Sequence, residues 1–234
     1  MNTQTLSQPR KLQKKISIPP LENGDRLTQK EFHRRYEAMP ENVKAELIKG
    51  IVYMSSPVRV TKHGDPHGLI MSCLGVYFLS TESVRLSDNI TYIANEEYEP
   101  QPDAVLRIDE NKGGKSWIND NDYLEGAPEL IVEIASSSAS YDLHDKLELY
   151  EQKGVQEYIV WRVLDEQIDW FGLKDGKYKK FAADKQGIIE SEVFPGLRLN
   201  VEAMLEDDLQ KVLTDLQKGI KSKKYKEFVK QLSK

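Results

Sequence analysis

The stretch "PELIVEIASSSASYDLHDKLELYEQKGVQEY", Pro128 to Tyr158, places a strand, a polar turn, a helix and the start of a second strand in close succession. Leu130, Ile131, Val132, Ile134 and Ala135 form an apolar run of strand length, and Glu133 interrupts it. Alternation along a strand puts Glu133 on the same face as Ile131 and Ala135. A lone ionised carboxylate on a buried face is costly unless it is paired or bound to metal. Just downstream, a helix expected over residues 141–153 carries Asp142, Lys146 and Tyr150 at four-residue spacing. Each step of four advances the side chain by about 40°, so the three form a drifting stripe beside the apolar Leu143 and Leu147. That stripe turns Lys146 back toward the strand ends, whereas Tyr150 reads as packing.

The segment "QPDAVLRI" repeats the anomaly, with Asp103 at the start of another apolar run and Pro102 before it. If the two strands are neighbours, two carboxylates converge. Like charges about 4 Å apart repel by ~4 kcal/mol at an effective dielectric of about 20. A cation or a shared proton must offset that repulsion. Lys146 is the local candidate and a divalent metal the stronger one, because carboxylates, a backbone carbonyl and waters form the oxygen environment that Mg²⁺ prefers. A lysine beside them suits the orientation of an attacking water, or stabilisation of transition-state charge on a phosphate. Blander readings stand alongside: Asp142 and Lys146 as a surface pair worth ~0.3–0.5 kcal/mol, and Glu133 at a strand end open to water. Asp103, Glu133 and Lys146 taken together favour a site.

Around this centre the 234-residue chain reads as one domain with appendages. Residues 1–25 are polar, proline-punctuated and expected to be mobile. Thr28 and Glu31 form a capping box that opens a helix through about Met39. "AELIKGIVYMSS" predicts two short strands turning at Lys49-Gly50. Asp65-Pro66 reads as an N-cap and a first-turn proline, opening a helix to about Ser80 with Leu69, Ile70, Cys73, Val76 and Tyr77 on its apolar face. Strands follow near 84–93, 102–108 and 129–135, with a long polar loop, "DENKGGKSWINDNDYLEGA", before the last. "QEYIVWRV", "EQIDWFGL" and "GKYKKFA" add strands, the last two joined at Asp175-Gly176. "FPGLRLNVEAML" closes the sheet region and starts a C-terminal helix. The fold class is therefore α/β (α+β), a mixed central sheet with helices packed on it. Residues 26–205 form the expected domain, and 206–234 a C-terminal helix with a lysine-rich tail.

"ELIKGIVYMSSP", "PHGLI", "QPDAVL", the Pro128 stretch as far as "YIV", and "FPGLRL" occur in this order between Arg26 and Val201. With these segments the chain resembles the Uma-type restriction-endonuclease family, a branch of the PD-(D/E)XK nuclease superfamily. The resemblance implies a restriction-endonuclease-like αβββαβ core, here with extra antiparallel strands and a C-terminal helix. It implies Mg²⁺-dependent hydrolysis of phosphodiester bonds in DNA, with Mn²⁺ able to substitute. Asp103 and Glu133 would bind the metal, and Lys146 would be the motif lysine moved from the strand to the following helix. Ala135 stands where the superfamily places that lysine, a departure the Uma-type family shares. Glu46 and His67 also match family positions, as an accessory metal ligand and as a contact to phosphate or water. Ala45 stands where the family often has an aromatic residue.

Charge and composition narrow the classes further. Net charge is −5, unlike a non-specific nucleic-acid coat. The tail from Lys218 to Lys234 holds seven lysines against Glu227, a local +6 that leaves −11 elsewhere. Such a run is ordinarily a solvated helix end, and in its sharper reading an arm for phosphate backbones. Cys73 is the single cysteine, and the basic N-terminal segment shows no apolar h-region, so a reducing, cytoplasmic setting is expected. The most apolar stretch, 69–79, falls short of the ~20 residues of a membrane span. Zinc spacing among His33, His63, His67, His144 and Cys73, a phosphate-binding loop at "KGGK", a calcium loop near Asp109 and a serine nucleophile elbow are all missing. The expected partners are DNA as substrate and a second copy of the chain. The alternative is a catalytically weak or inactive nuclease-fold module that binds DNA or a protein, and a third reading is a hydrolase of small phosphoesters.

Overall fold

The computed structural model describes residues 18–136 and 142–234 of the protein. The first seventeen residues of the expected mobile segment, and most of the polar turn after Ala135, lie outside the described residues. Helix α1 spans Gln29–Tyr36, with Thr28 accepting from the Glu31 amide at 3.5 Å. The capping box is only half formed: the Glu31 carboxylate turns to Arg34 and Arg35 rather than back to the cap. The helix stops at Tyr36 instead of Met39, because the chain tightens into i→i+3 turns ahead of Pro40.

Strands β1 (Ala45–Ile48) and β2 (Ile51–Met54) form a hairpin. Both of its central residues, Lys49 (φ 52°) and Gly50 (φ 71°), are left-handed, as a two-residue primed turn requires. A π-helical turn, Val60–Gly64, then runs directly into helix α2, Asp65–Ser80. Asp65 therefore lies inside the helix and is not its cap. Pro66 costs nothing there, since its missing N–H falls in the first turn. The added turn swings His63 to the start of α2.

The main sheet contains β3 (Val84–Asp88), β4 (Ala104–Ile108), β7 (Leu130–Ala135), β8 (Glu157–Arg162), β9 (Gln167–Lys174) and β10 (Lys177–Lys180). Its six strands run in the order β10-β9-β8-β7-β4-β3. Only β7 and β8 are parallel, and helix α3 (Asp145–Lys153) makes the crossover between them. The helix expected from residue 141 opens at Asp145, because His144 (φ −122°, ψ −73°) interrupts the helical path after Asp142 and Leu143. The loop before β7 is not featureless: β5 (Ser116–Ile118) and β6 (Leu124–Gly126) pair within it, with Trp117 and Ile118 exposed. The Arg198 segment does not close the main sheet. It forms β12 (Arg198–Asn200), paired with β11 (Ile188–Glu190) in a separate ribbon.

Alternation along β7 splits the core. Leu130, Val132 and Ile134 join Ile70, Leu74 and Tyr77 of α2 on one face, while Ile131 and Ala135 join Leu149 and Tyr150 of α3 on the other. Three further helices, α4 (Val201–Leu205), α5 (Leu209–Gly219) and α6 (Lys223–Leu232), pack on the α2 side through Met204, Val212, Leu216, Tyr225 and Leu232. The C-terminus is thus two capped helices docked on the core rather than one helix with a trailing end. No described helix is long and apolar enough to cross a membrane.

Candidate active site

All six residues of β7 are buried, including Glu133. Strand β4 runs antiparallel beside it with Ala104 opposite Val132. One step further in that register sets Asp103 opposite Glu133, so the two carboxylates meet across neighbouring strands. Asp103 is fixed by the neighbouring strand: its Oδ2 accepts from the Ile134 amide at 2.7 Å. Glu133 points to the α3 face, where its Oε1 accepts from Lys146 Nζ and from the Tyr150 hydroxyl, each at 3.0 Å.

Lys146 is the hub. Its Nζ lies 3.0 Å from Glu133, 2.9 Å from Glu46 and 3.4 Å from Asp142, with 3% of the side chain exposed. Glu46 reaches it from β1, and the same Glu46 oxygen accepts from the Gln101 amide at 2.7 Å. Gln101 in turn donates from its side chain to Tyr36 and Thr91, which braces the segment before Asp103. Tyr158 donates to the Asp142 carbonyl at 3.0 Å and stacks edge-on against Tyr150. Glu133, Glu46, Asp142, Lys146 and Tyr150 therefore form one connected cluster, and Asp103 lies opposite Glu133 on the next strand, so that six of the seven residues singled out in the sequence come together.

The seventh, His67, supports it from behind. Its Nε2 lies 3.0 Å from the Asp103 carbonyl and 3.1 Å from Asp88. Both neighbours are acceptors, so Nε2 carries the proton. His63, and not His67, lines the cleft; its Nε2 sits 3.3 Å from Asp103 Oδ1, and its ring stacks on that of His67 at 5.6 Å. Sequence reasoning missed His63. The i, i+4 spacing of the two histidines was the available signal, but only the turn before α2 brings that spacing to Asp103.

The electrostatics are lopsided. Burial, then Asp142, Asp103 and Glu46, push the Glu133 carboxyl well above the usual range, although Lys146 pulls it down. For Lys146, burial favours the neutral amine, but Glu133, Glu46 and Asp142 outweigh it and hold the ammonium well above its ordinary value. Asp103 raises the His63 pKa against the opposing effect of burial. One buried cation serves several carboxylates, and the site retains a surplus of negative charge.

These groups floor a cleft of about 580 Å³. The segment from Ser55 to His63 also lines it, and brings the exposed cations Arg59 and Lys62 to the same cleft as the carboxylates. Among the described residues, no three Asp, Glu, His or Cys side chains converge in a metal-holding geometry. Mg²⁺ does not require three, because it is commonly held by one or two carboxylates with waters and substrate phosphate completing the shell. Asp103 and Glu133, facing one cleft with charge to spare, fit that donor chemistry.

The comparisons with known proteins bear on family and fold. The sequence matches the family described as "Uma2: Putative restriction endonuclease" over residues 30–202. A crystal structure of "a putative nuclease belonging to DUF820" from Anabaena variabilis ATCC 29413 superposes with a TM-score of 0.54 at 13% identity, covering 74% of this chain and 96% of that one. At that identity the likeness is one of fold. Comparison with curated proteins gives no match. The family match spans most of the chain and includes every residue of the buried cluster: this protein belongs to the Uma2 restriction-endonuclease family.

Proposed function

We propose that the chain hydrolyses phosphodiester bonds in DNA at this cleft with a divalent cation, Mg²⁺ or, in its place, Mn²⁺. The observation that carries the reading is the β4–β7 register, which sets Asp103 opposite Glu133 in a cleft that Arg59 and Lys62 also line. Asp103 and Glu133 would hold the cation, which when bound supplies charge neutralisation and an acidified water. The remaining roles belong to the chain itself. Lys146 opposes the rise of the Glu133 carboxyl and orients it, and Glu46 and Asp142 hold Lys146 in place. His67 steadies the Asp103 backbone, and Tyr150 fixes one Glu133 oxygen. Arg59 and Lys62, which line the same cleft, would meet the phosphate as charge on its non-bridging oxygens grows during reaction. Cleavage of both strands calls on a second copy of the chain. A cytoplasmic setting accords with the free, buried Cys73.

One observation favours the second reading, a module that binds without cutting. The Lys146 ammonium is already engaged by three carboxylates, and Ala135 occupies the place of the superfamily lysine. The test is cleavage of plasmid and linear duplex DNA with Mg²⁺ or Mn²⁺, with chelator controls and Glu133→Gln beside wild type. Metal-dependent cutting that the variant loses is the expected result. No cutting by folded wild type that still binds DNA overturns the nuclease reading in favour of the binding module.

A further inference from the structure

The lysine-rich segment is a docked helix, not a loose end. Ser222 caps α6 by accepting from the Tyr225 amide at 3.2 Å. Tyr225 and Leu232 are buried, with Phe228 and Val229 half-buried between them, an i, i+3, i+4, i+7 stripe spent on the core. Tyr225 packs its ring on Tyr77 at 5.9 Å and hydrogen-bonds to Thr81 and the Ser80 carbonyl. Phe228 meets Phe194 edge-on at 6.4 Å. At the preceding bend, the backbones of Gly196 and Gly219 approach so closely that a Cβ on Gly219 would collide with the Gly196 carbonyl oxygen. The outer face is consequently fixed in orientation. It presents Lys223, Lys224, Lys226 and Lys230, all exposed, against one acidic side chain, Glu227, which lies 3.7 Å from Lys223.

We propose that this outer face of α6 is a second contact for duplex DNA, remote from the cleft and directed at backbone phosphates. Three observations carry it. First, the positive charge is segregated: the face is cationic on a chain whose remainder is strongly negative. Second, the apolar stripe of α6 is already buried in the protein, so the helix has nothing to insert into a lipid surface. A membrane-binding basic helix needs that stripe free. The partner must therefore be a polyanion met in water. Third, the placement suits a rod. Helix α2 begins beside the cleft, where His67 meets Asp103, and ends against Tyr225 of α6. Its 16 residues span about 24 Å, the length of roughly seven base pairs. The cleft's carboxylates repel a duplex, so an anchor beyond the far end of α2 adds to the attraction of Arg59 and Lys62. The inference rests on the nuclease reading only in its choice of DNA as the polyanion.

The test is the salt dependence of binding to a fluorescent 30-base-pair duplex, measured with chelator so that nothing is cut. Wild type is set beside the quadruple variant Lys223→Gln, Lys224→Gln, Lys226→Gln, Lys230→Gln. Four lost phosphate contacts should flatten the slope of log K against log [salt] by about 3 to 4. Between 50 and 200 mM salt, wild type should then lose on the order of 100-fold more affinity than the variant. If the quadruple variant fails to fold, the pair Lys224→Gln, Lys230→Gln should flatten the slope by about 2. An unchanged slope in a folded variant overturns the proposal. So does lysine-dependent binding to phosphatidylserine vesicles without binding to the duplex. Cleavage with an unchanged slope sinks this inference and spares the nuclease reading, and lysine-dependent binding without cleavage does the reverse.

Discussion

Replacing Lys146 with methionine tests the physical logic of the site before any substrate is involved. Methionine matches the length and flexibility of the lysine stem but removes the ammonium from between Glu133, Glu46 and Asp142. At about 3 Å, each charge pair carries a gross attraction of ~5 kcal/mol at an effective dielectric of about 20. Desolvation of the ions cancels much of it, and breaking a buried pair by removing one partner nets about 3–5 kcal/mol. For a chain of this size that lowers Tm by roughly 6–20 °C. The loss also acquires a pH dependence. Without Lys146, the Glu133 carboxyl, already held above its usual range by burial, rises further. The folded state then binds a proton that the unfolded state has released above about pH 4.3. A group with a raised folded pKa contributes stability that is full below the unfolded pKa and fades as pH climbs through the folded one. The variant should therefore approach wild type near pH 4 and fall furthest behind it near pH 8. Urea unfolding at pH 4, 6 and 8 measures this, and adding Glu133→Gln should restore much of the deficit. A loss under about 1 kcal/mol that does not vary with pH would refute the buried-cluster reasoning.

Two further perturbations address the frame around the site. Burial opposes ionisation of Asp169, but Arg162 and Lys180 outweigh it and hold its carboxyl below the usual range. That stability is present above the unfolded pKa of about 3.9 and lost as pH falls through the folded value, so Asp169→Asn should cost about 1–3 kcal/mol at pH 7 and converge on wild type near pH 2. Equal deficits at both pH values in urea unfolding would contradict the ion pairing. Gly219→Ala should cost about 1–3 kcal/mol by driving α5 off the Gly196 loop, and limited proteolysis should then enter near α6 first. An unchanged unfolding midpoint would show that the close approach does not constrain the C-terminal helices.

The order of strands and helices, and the identity of the buried carboxylates, were legible in the sequence because both depend on local rules. Apolar runs of strand length with one acid inside, "PELIVEIA" and "QPDAVL", announce their own anomaly, and the primed turns at Lys49-Gly50 and Asp175-Gly176 follow from backbone conformation alone. Lys146 could be aimed at Glu133 from helical spacing. The Glu46–Gln101 contact, fifty-five residues apart in sequence, could not be seen that way, nor could the Asp103–Ile134 hydrogen bond that locks two strands in register. His63 was lost to a π-helical turn that local capping signals placed outside the helix, and the Trp117 hairpin to a composition that resembles any polar loop. The lysine-rich C-terminus shows the same division. Its charge is written in the sequence, but whether its apolar residues lie open or spent depends on Tyr77, Thr81 and Phe194, which only the fold brings to it. Sequence by itself determined what each segment is, since propensity, alternation and charge act over a few residues. Tertiary structure alone decided which carboxylates share a cation and which face of the last helix remains for a partner, because those contacts join residues that the chain keeps far apart.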